Sequence, residues 1–306
     1  MRVKEGGRRI AITLIDKEVG VTSNSVVGKV RYLSGNSRVG HSGTLDPFAS
    51  GLMVVALGQA TRLLPFFHDT PKLYRARLLL GSSTDTGDLT GAVTATSPTP
   101  DTSEAQLAAI LSSFIGESSQ VPPVYSARKV DGVRSYQLAR EGKAVELEAS
   151  QINIFAIEGH LVDATTIDFE VRCSRGTYIR TLGEDIAKRL GTLGYLSKLR
   201  RIESDGFSVD DASLLPAEKS DLRFCDRAVL DRFGTFGVDE AVAKRLINGI
   251  EVDLADLRLS RPENDGYVFV FHQDRFDHPA TLEDVIGLFE VVEGRLQSRV
   301  TFPQFS

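Results

Sequence analysis

The chain has 306 residues, of which 42% are apolar and 25% charged, and its formal net charge is −5. This balance is typical of a globular protein with a large core, and it excludes a chain that is disordered throughout. The length predicts one large domain with a smaller one appended.

The first 60 residues predict a strand, a helix and a second strand in that order. Residues 10–16 form a short apolar run, and Thr22 or Ser23 can cap a helix that Gly35 ends. The apolar positions of this helix fall on one face: Val26, Val27, Val30 and Leu33. A glycine-rich loop, 35–47, leads into a continuous apolar run, 52–57, which predicts a buried strand. A side chain on this loop is therefore expected at the end of a core strand, open to a cleft.

The chain from there to about residue 210 mixes strands and helices without strict alternation. The predicted strands are 73–80, 144–157, 165–173 and 195–202, with a turn near Gly159. The predicted helices are 61–67, 105–114 and 176–190, and a further helix, 135–140, lies in a basic insertion at about 120–145. Such a mixture predicts an α+β domain around a mixed sheet.

Charge is distributed unevenly along the sequence. Residues 1–210 carry 25 basic and 23 acidic side chains, whereas residues 211–306 carry 11 and 18. Two basic segments, 128–143 and 172–201, are compatible with an RNA surface or with solvated faces, and charge alone leaves both possibilities open. Strand-like runs at 268–271, 287–292 and 298–302 predict a small β-rich C-terminal module.

The cysteines and histidines show none of the spacings of a metal or redox site. Cys173 and Cys225 are far apart, and none of the five histidines belongs to a His-x-x-x-His pattern. We therefore expect reduced thiols, no bound metal and a cytoplasmic protein without a secretory signal or membrane span.

The segment Gly-His-Ser-Gly-Thr-Leu-Asp-Pro at 40–47 is the strongest local signal for function. One interpretation is a structural turn in which Asp46 accepts hydrogen bonds from backbone amides. A hydrolase would use His41, Ser42 and Asp46 as a triad, but such close neighbours do not readily align, and there is no Gly-x-Ser-x-Gly elbow.

A third interpretation comes from resemblance to a known family. Motifs in the same order and spacing are found at 16–17, 20–23, 40–51, 57–62, 72–75, 84–88, 122–127, 173–180 and 199–201. Through these motifs the chain resembles, over essentially its full length, the bacterial tRNA pseudouridine-55 synthase family, called TruB. The resemblance implies a mixed-sheet pseudouridine synthase catalytic domain with a basic insertion, at 1–232, and a PUA-like RNA-binding domain at 233–306.

The implied reaction is isomerisation of uridine 55 in the T-loop of tRNA to pseudouridine. It breaks the N1 glycosidic bond, turns the uracil and rejoins it through C5, so no redox cofactor or energy source is needed. The implied partner is the T-arm of tRNA, bound by a monomer. A non-catalytic tRNA-binding or folding protein on the same scaffold is the main alternative, and a synthase working with a guide RNA is a second.

The resemblance also assigns roles to individual residues. Asp46 is implied as the nucleophile or base, with Arg180 holding down its pKa. Tyr74 is implied to stack on the base and to remove the final proton at C5, and Leu199 to form an apolar wall. His41 is implied as the wedge that fills the space left by the flipped nucleotide.

Further substrate contacts are implied for Lys17, Tyr178, Arg128 and Lys129, the last two in the basic insertion that would clamp the T-arm. This sequence departs from the family pattern at three positions: Glu18 replaces a usual Pro, and Ser42 and Ser50 replace usual Thr residues. The serines keep a hydroxyl group, whereas Glu18 could weaken the contact that Lys17 makes.

Overall fold

A computed structural model describes residues 9–67, 70–126, 128–130, 133–135, 147–256, 266–273 and 278–302. Its helices are α1 (Ser23–Ser34), α2 (Glu104–Ser112), α3 (Ile179–Arg189), α4 (Asp226–Phe233) and α5 (Glu240–Ile247). The first strands are β1 (Ala11–Lys17), β2 (Val39–His41), β3 (Ser50–Leu57), β4 (Lys72–Leu80), β5 (Ser82–Thr84), β6 (Val93–Thr96), β7 (Gly116–Gln120), β8 (Lys129–Val130), β9 (Val133–Arg134) and β10 (Ser150–Asp163). The others are β11 (Thr166–Cys173), β12 (Gly194–Ser204), β13 (Phe207–Ser208), β14 (Ser213–Leu214), β15 (Thr235–Val238), β16 (Val252–Asp253), β17 (Gly266–His272), β18 (Val285–Val292) and β19 (Arg295–Thr301).

A mixed sheet forms the centre of the larger part of the molecule. Within the described residues it has ten strands, in the order β14-β1-β3-β12-β4-β11-β10-β7, with β2 beside β3 and β13 beside β12. Most neighbours run antiparallel, whereas β12 lies parallel to β3. The β12–β3 pairing matters for the site because it brings Arg201 opposite Gly51, at the end of the loop that precedes β3.

Helices cover one face of this sheet. Helix α1 begins as expected, with the Thr22 hydroxyl accepting a hydrogen bond from the Ser25 amide, and it ends at Gly35 with a φ of +70°. The apolar sides of α1, α2 and α3 join the sheet residues Tyr74, Ala76 and others in one core. In α3, a Cβ at Gly183 would lie 2.8 Å from a methyl carbon of Leu196, so the glycine allows this helix to lie close to β12.

The opposite face of β1 and β3 packs against a second sheet, which has five strands in the part of the chain that the structure describes, in the order β15-β17-β18-β19-β16. Ile12 and Val54 share a core with Phe269 of β17, and the ring centroids of Phe67 and Phe233 are 5.5 Å apart at this junction. Because β3 is covered on both faces, its sequence is a continuous apolar run, as β-sheet burial requires.

The α+β fold with a β-rich C-terminal part is confirmed, while the exact domain limits stay a prediction. Strands β17, β18 and β19 agree with the three expected runs, but the C-terminal part also contains α5, which the sequence did not predict. No helix among the described residues has the length and apolar character needed to cross a membrane.

Some expected elements differ from the structure. The turn expected near Gly159 is wrong: Gly159 lies inside β10, where a Cβ would be 2.7 Å from the Asp168 carbonyl oxygen, and the chain reverses after Asp163. Residues 61–67 form parts of two 3-10 turns. The helix expected at 135–140 falls, apart from Ser135, outside the described residues.

Candidate active site

Asp46 lies on a loop that connects β2 to β3 and is fixed by its neighbours. The Ser42 amide donates to the Val54 carbonyl at 3.1 Å. The Ser23 hydroxyl, at the start of α1, bonds both the amide and the carbonyl of Leu45 at 2.9 Å. The Ala49 amide then donates to the carbonyl of Asp46 at 3.1 Å. The loop therefore presents the Asp46 side chain in a defined direction.

Arg180, the second residue of α3, forms an ion pair with Asp46. Its Nε lies 2.8 Å from Asp46 Oδ2, and the Arg180 side chain is only 4% exposed. The other guanidinium nitrogens donate to the carbonyls of Thr86 at 2.6 Å and Tyr125 at 2.8 Å. Because all three nitrogens have partners, the planar group is held in one orientation toward the carboxylate.

The position of Arg180 depends on Gln120, which the sequence did not identify. The Gln120 side chain accepts from the Tyr178 amide at 2.7 Å and donates to the Tyr178 carbonyl at 3.1 Å. Tyr178 precedes the first residue of α3, so these two bonds fix the beginning of the helix. No local pattern at the end of β7 indicates this role, because the two residues are 58 positions apart.

The expected effect on the ionisation of Asp46 needs correction. Burial raises the pKa of Asp46 above its usual value, and the Arg180 guanidinium opposes this rise without reversing it. The nearby Asp88 carboxylate raises the pKa further, and Lys17 opposes it weakly. The ion pair therefore counteracts a burial effect that favours the protonated acid.

Asp88 is a further carboxylate at this site. Its Oδ2 is 3.9 Å from Nη1 of Arg180, and its side chain is 6% exposed. Its Oδ1 accepts from the Thr90 amide at 2.9 Å and from the Thr86 hydroxyl at 3.0 Å. Asp88 belongs to the motif at 84–88, which signalled the resemblance without indicating a role.

Tyr74 and Leu199 lie with Asp46 and Arg180 in one cleft of about 510 Å³. Burial raises the pKa of Tyr74, so its phenol is neutral at ordinary pH, and the positive charge of Arg201 opposes that rise. The cleft is also lined by Ser42, Gly43, Thr44, Leu45, Lys72, Ser126, Arg128, Ser150, Gln151, Arg175, Gly176, Thr177, Tyr178, Ile179 and Arg201. The expected catalytic side chains are thus brought together, although Asp46 and Arg180 are far apart in sequence.

A larger cavity of about 810 Å³ lies over a row of cross-strand ion pairs that includes Arg75–Glu170 and Arg77–Asp168. It shares only Leu199 with the smaller cleft. The cationic side chains of these two pairs are matched by carboxylates, and none of the expected catalytic residues lines the cavity. The smaller cleft is therefore the candidate active site.

Lys17 has contacts that disagree with substrate binding. The side chain is fully buried, and its Nζ donates to the carbonyls of Glu18 at 2.9 Å, Val21 at 2.8 Å and Ala49 at 2.5 Å. Since all three protons have acceptors inside the protein, the ammonium group cannot also bind a phosphate. These contacts favour a structural role. The Glu18 contact uses a backbone carbonyl, which a Pro would also provide.

The remaining expected residues occupy different places around the cleft. Tyr178 and Arg128 line it, and Arg128 donates to the Glu148 carbonyl at 3.3 Å and to the Ser150 hydroxyl. His41 is half-buried at the end of β2, one residue before the lining begins. The side chain of Lys129, like most of the insertion, lies outside the described residues.

Two buried cations support the loop from below. One of them, Arg201, belongs to the basic segment 172–201, which was expected to be an RNA surface or a solvated face, but it is 1% exposed. Arg201 donates to the carbonyls of Leu52 at 2.7 Å, Gly43 at 3.0 Å and Thr44 at 3.4 Å. The Nζ atom of Lys72 would lie 2.8 Å from a Cβ at Gly43, so it contacts the loop directly. In the part of the chain that the structure describes, no three His, Cys, Asp or Glu residues are grouped as metal ligands.

Comparison with known proteins supports the resemblance. The N-terminal domain of TruB family pseudouridylate synthases matches residues 31–179, which include Asp46 and Tyr74 and end one residue before Arg180. The protein called tRNA pseudouridine synthase B from Syntrophotalea carbinolica is 42% identical over 246 residues, covering 78% of this chain and 80% of the relative. The protein of that name from Francisella tularensis subsp. novicida is 35% identical over 297 residues, or 96% and 95% of the two chains.

Solved structures show the same fold at lower sequence identity. A chain in an H/ACA RNP bound to a substrate RNA containing 2′-deoxyuridine aligns with a TM-score of 0.65 at 20% identity, covering 96% of this chain and 86% of the other. A chain of an archaeal box H/ACA sRNP Nop10-Cbf5 complex gives a TM-score of 0.64 at 19% identity, covering 100% and 91%. The fold and the close bacterial relatives together show that this chain belongs to the TruB family of pseudouridylate synthases.

Proposed function

We propose that this protein isomerises uridine 55 in the T-loop of tRNA to pseudouridine, with Asp46 as its essential catalytic residue. The observation that carries the proposal is the Asp46–Arg180 ion pair, which lies in a cleft beside Tyr74. The relatives named tRNA pseudouridine synthase B support tRNA as the substrate.

Asp46 starts the reaction as nucleophile or base. Its side chain is 32% exposed, so the carboxylate can reach a nucleotide in the cleft, whereas Arg180 behind it is almost fully buried. Arg180 favours the ionised carboxylate and stabilises negative charge near the reacting atoms while the N1 bond is broken. The C5–C1′ bond then forms, C5 loses its proton, and N1 gains one.

Tyr74 and Leu199 hold the uracil. The ring of Tyr74 provides a stacking surface, and Leu199 provides the apolar wall on which the detached base can turn. The neutral phenol is a weak base, so the proposed removal of the C5 proton by Tyr74 depends on Arg201, whose positive charge favours the phenolate. His41, next to the cleft, takes the place of the flipped nucleotide in the RNA stack.

The T-arm docks against basic side chains at the rim of the cleft. Arg128, Arg175 and Tyr178 line the cleft, and in the proposal they contact the RNA backbone. Lys129 and the rest of the insertion complete this clamp in the proposal, and the acidic C-terminal part contributes less to affinity. In the proposal the protein acts in the cytoplasm without metal or cofactor. It acts as a monomer, so sedimentation with RNA should give a 1:1 complex.

The test is release of tritium from C5-labelled uridine in a T-arm transcript. We expect the purified protein to release tritium in the presence of a chelator and without added nucleotide. Asp46→Asn, which keeps the size of the side chain and removes its charge, should abolish release and leave RNA binding intact. Arg128→Ala is the matched control, since it should weaken RNA binding more than turnover at saturating RNA. Wild-type protein that binds the RNA but never releases tritium would support the non-catalytic tRNA-folding protein instead.

A further inference from the structure

The turn between β12 and β13 contains a buried aspartate whose position in the turn does not explain its burial. Asp205 and Gly206 have φ angles of +58° and +80°, and Ser204 pairs with Phe207 across the two-residue turn. Asp-Gly is a favoured pair for such a hairpin turn. Turn residues are usually exposed, however, and Asp205 is 0% exposed.

The Asp205 carboxylate points toward the loop that carries Asp46. Its Oδ2 accepts hydrogen bonds from the hydroxyl of Ser42, 163 residues away in sequence, and from the hydroxyl of Ser204 at 2.8 Å. Ser42 is the first residue of the loop that lines the candidate active site. The contact with Asp205 therefore fixes the beginning of the loop.

The same carboxylate acts on a buried cation beneath the loop. Burial lowers the pKa of Lys72, which is 7% exposed and lies against Gly43, and the negative charge of Asp205 opposes this fall. Arg201, 1% exposed, adds a second positive charge and bonds the carbonyls of Gly43 and Thr44. Buried charges need partners of opposite sign, and Asp205 is a carboxylate that favours the charged form of Lys72.

A residue from the junction between the two sheets holds the turn in place. Arg232 of α4 donates a hydrogen bond to the carbonyl of Asp205, and its guanidinium lies 5.4 Å from the ring centroid of Phe67. A Cβ at Gly206 would overlap the guanidinium of Arg232, so the glycine is required for this approach. The turn is thus held through the Asp205 carbonyl as well as through its carboxylate.

We propose that Asp205 is a positioning residue for the reaction, which holds Ser42 and the loop after it so that Asp46 meets Arg180 in the reactive geometry. The inference rests on the proposed function. Asp205 itself contacts neither the cleft nor the RNA. Its effect on the Asp46 loop passes through the hydroxyl of Ser42.

The test compares Asp205→Gly, Asp205→Asn, Ser42→Ala and Ser42→Thr in the full-length protein. Glycine and asparagine both suit a turn with positive φ, so these changes should leave the hairpin intact. A displacement of about 1 Å at a reacting group can slow a reaction by up to roughly 100-fold. We therefore expect Asp205→Gly and Ser42→Ala to lower kcat by about 10-fold to 100-fold, with KM for the T-arm transcript changed by less than about 3-fold.

The conservative changes and a double mutant separate positioning from general stability. Asp205→Asn keeps an acceptor oxygen for Ser42 although it removes the charge that acts on Lys72, and Ser42→Thr keeps the hydroxyl. Because the proposed role is to hold Ser42 in position, both variants should keep most of the activity that Asp205→Gly and Ser42→Ala lose. The double mutant Ser42→Ala/Asp205→Gly should be no slower than the slower single mutant, because one contact is removed. Asp163→Gly, which removes an exposed turn carboxylate distant from the cleft, is the control and should leave kcat unchanged.

The outcomes distinguish the two proposals. An inactive wild-type protein would refute the proposed function itself. Active wild-type protein with a fully active Asp205→Gly variant, or with losses that multiply in the double mutant, would refute the positioning role alone. If Asp205→Gly does not fold, the comparison of Ser42→Ala with Ser42→Thr and Asp205→Asn still decides, because positioning requires Ser42→Ala to be slow and the other two to be fast.

Discussion

Replacing Arg180 by alanine should slow the reaction far more than it weakens RNA binding. The change removes the 2.8 Å ion pair with Asp46 and the bonds to the carbonyls of Thr86 and Tyr125. Removing a preorganised donor that stabilises charge in the transition state costs about 2.7–4 kcal/mol in the barrier. Since Asp46 is 32% exposed and can regain some hydration, we take the lower value, which corresponds to a loss in rate of roughly 100-fold.

The pH dependence gives a second measure of the same contact. Burial raises the pKa of Asp46 and Arg180 opposes the rise, so removal of Arg180 moves this pKa higher. In the proposed reaction Asp46 acts as the ionised carboxylate, so activity should be lost as the pH falls through its pKa. The acidic limb of the rate profile should therefore move to higher pH in Arg180→Ala, and part of the lost activity should return as the pH is raised. Arg180→Lys keeps the charge and should show a smaller shift.

Single-turnover measurement of pseudouridine formation, with protein in excess over a T-arm transcript, gives the rate, and filter binding gives the affinity. Arg189→Ala is the matched control because Arg189 lies on the same helix, stacks on Phe114 and is remote from the cleft. Equal losses of rate and affinity in Arg180→Ala would assign Arg180 to RNA docking. An unchanged pH profile would refute the electrostatic argument.

Three further changes test the supporting structure. Lys17→Met leaves three buried carbonyls without a donor, so it should lower the free energy of unfolding by roughly 3 kcal/mol in urea titrations. A loss of RNA affinity without a loss of stability would instead support the substrate contact that the resemblance implied for Lys17. Gln120→Ala removes both side-chain hydrogen bonds to the Tyr178 backbone, so it should lower the free energy of unfolding by about 2 kcal/mol and slow single turnover. An unchanged rate would show that α3 does not need this contact. Burial raises the pKa of Asp226 from 3.8 to about 6, so the protonated acid favours the folded state. The free energy of unfolding of the wild type should therefore fall by ~3 kcal/mol, relative to Asp226→Asn, as the pH rises from below 4 to above 6. Parallel curves of stability against pH for the two proteins would contradict this.

Features that depend on local chemistry could be predicted from the sequence. Helix α1 is an example, because a capping Thr22 and a terminating Gly35 act within a few residues of the helix ends. Gly159 shows where prediction from the sequence fails. A glycine is typical both of a turn and of a strand position at which a neighbouring backbone comes close, and only the pairing of β10 with β11 decides between them.

In the candidate site, too, local features could be predicted from the sequence and long-range contacts could not. The loop at 40–47 drew attention to Asp46, but only the resemblance connected it with Tyr74 and Arg180. Arg201 was part of a matched motif, yet its role depends on the register between β12 and β3. Gly51, at +107° in φ, has no space for a Cβ, which would lie 2.2 Å from the Arg201 carbonyl oxygen. Contacts of this kind are set by tertiary packing and leave no local pattern.

The buried ammonium group of Lys17 makes this residue an intrinsic reporter of local opening. Amine-reactive reagents need a free and accessible nitrogen, whereas Lys17 is 0% exposed and gives its protons to three carbonyls, one of them in the segment that follows Asp46. Lys244 is largely exposed and provides an internal reference for reagent reactivity. The labelling rate of Lys17 relative to Lys244 therefore measures how often the loop that carries Asp46 separates from β1, and it allows local opening at the candidate site to be followed without any substrate.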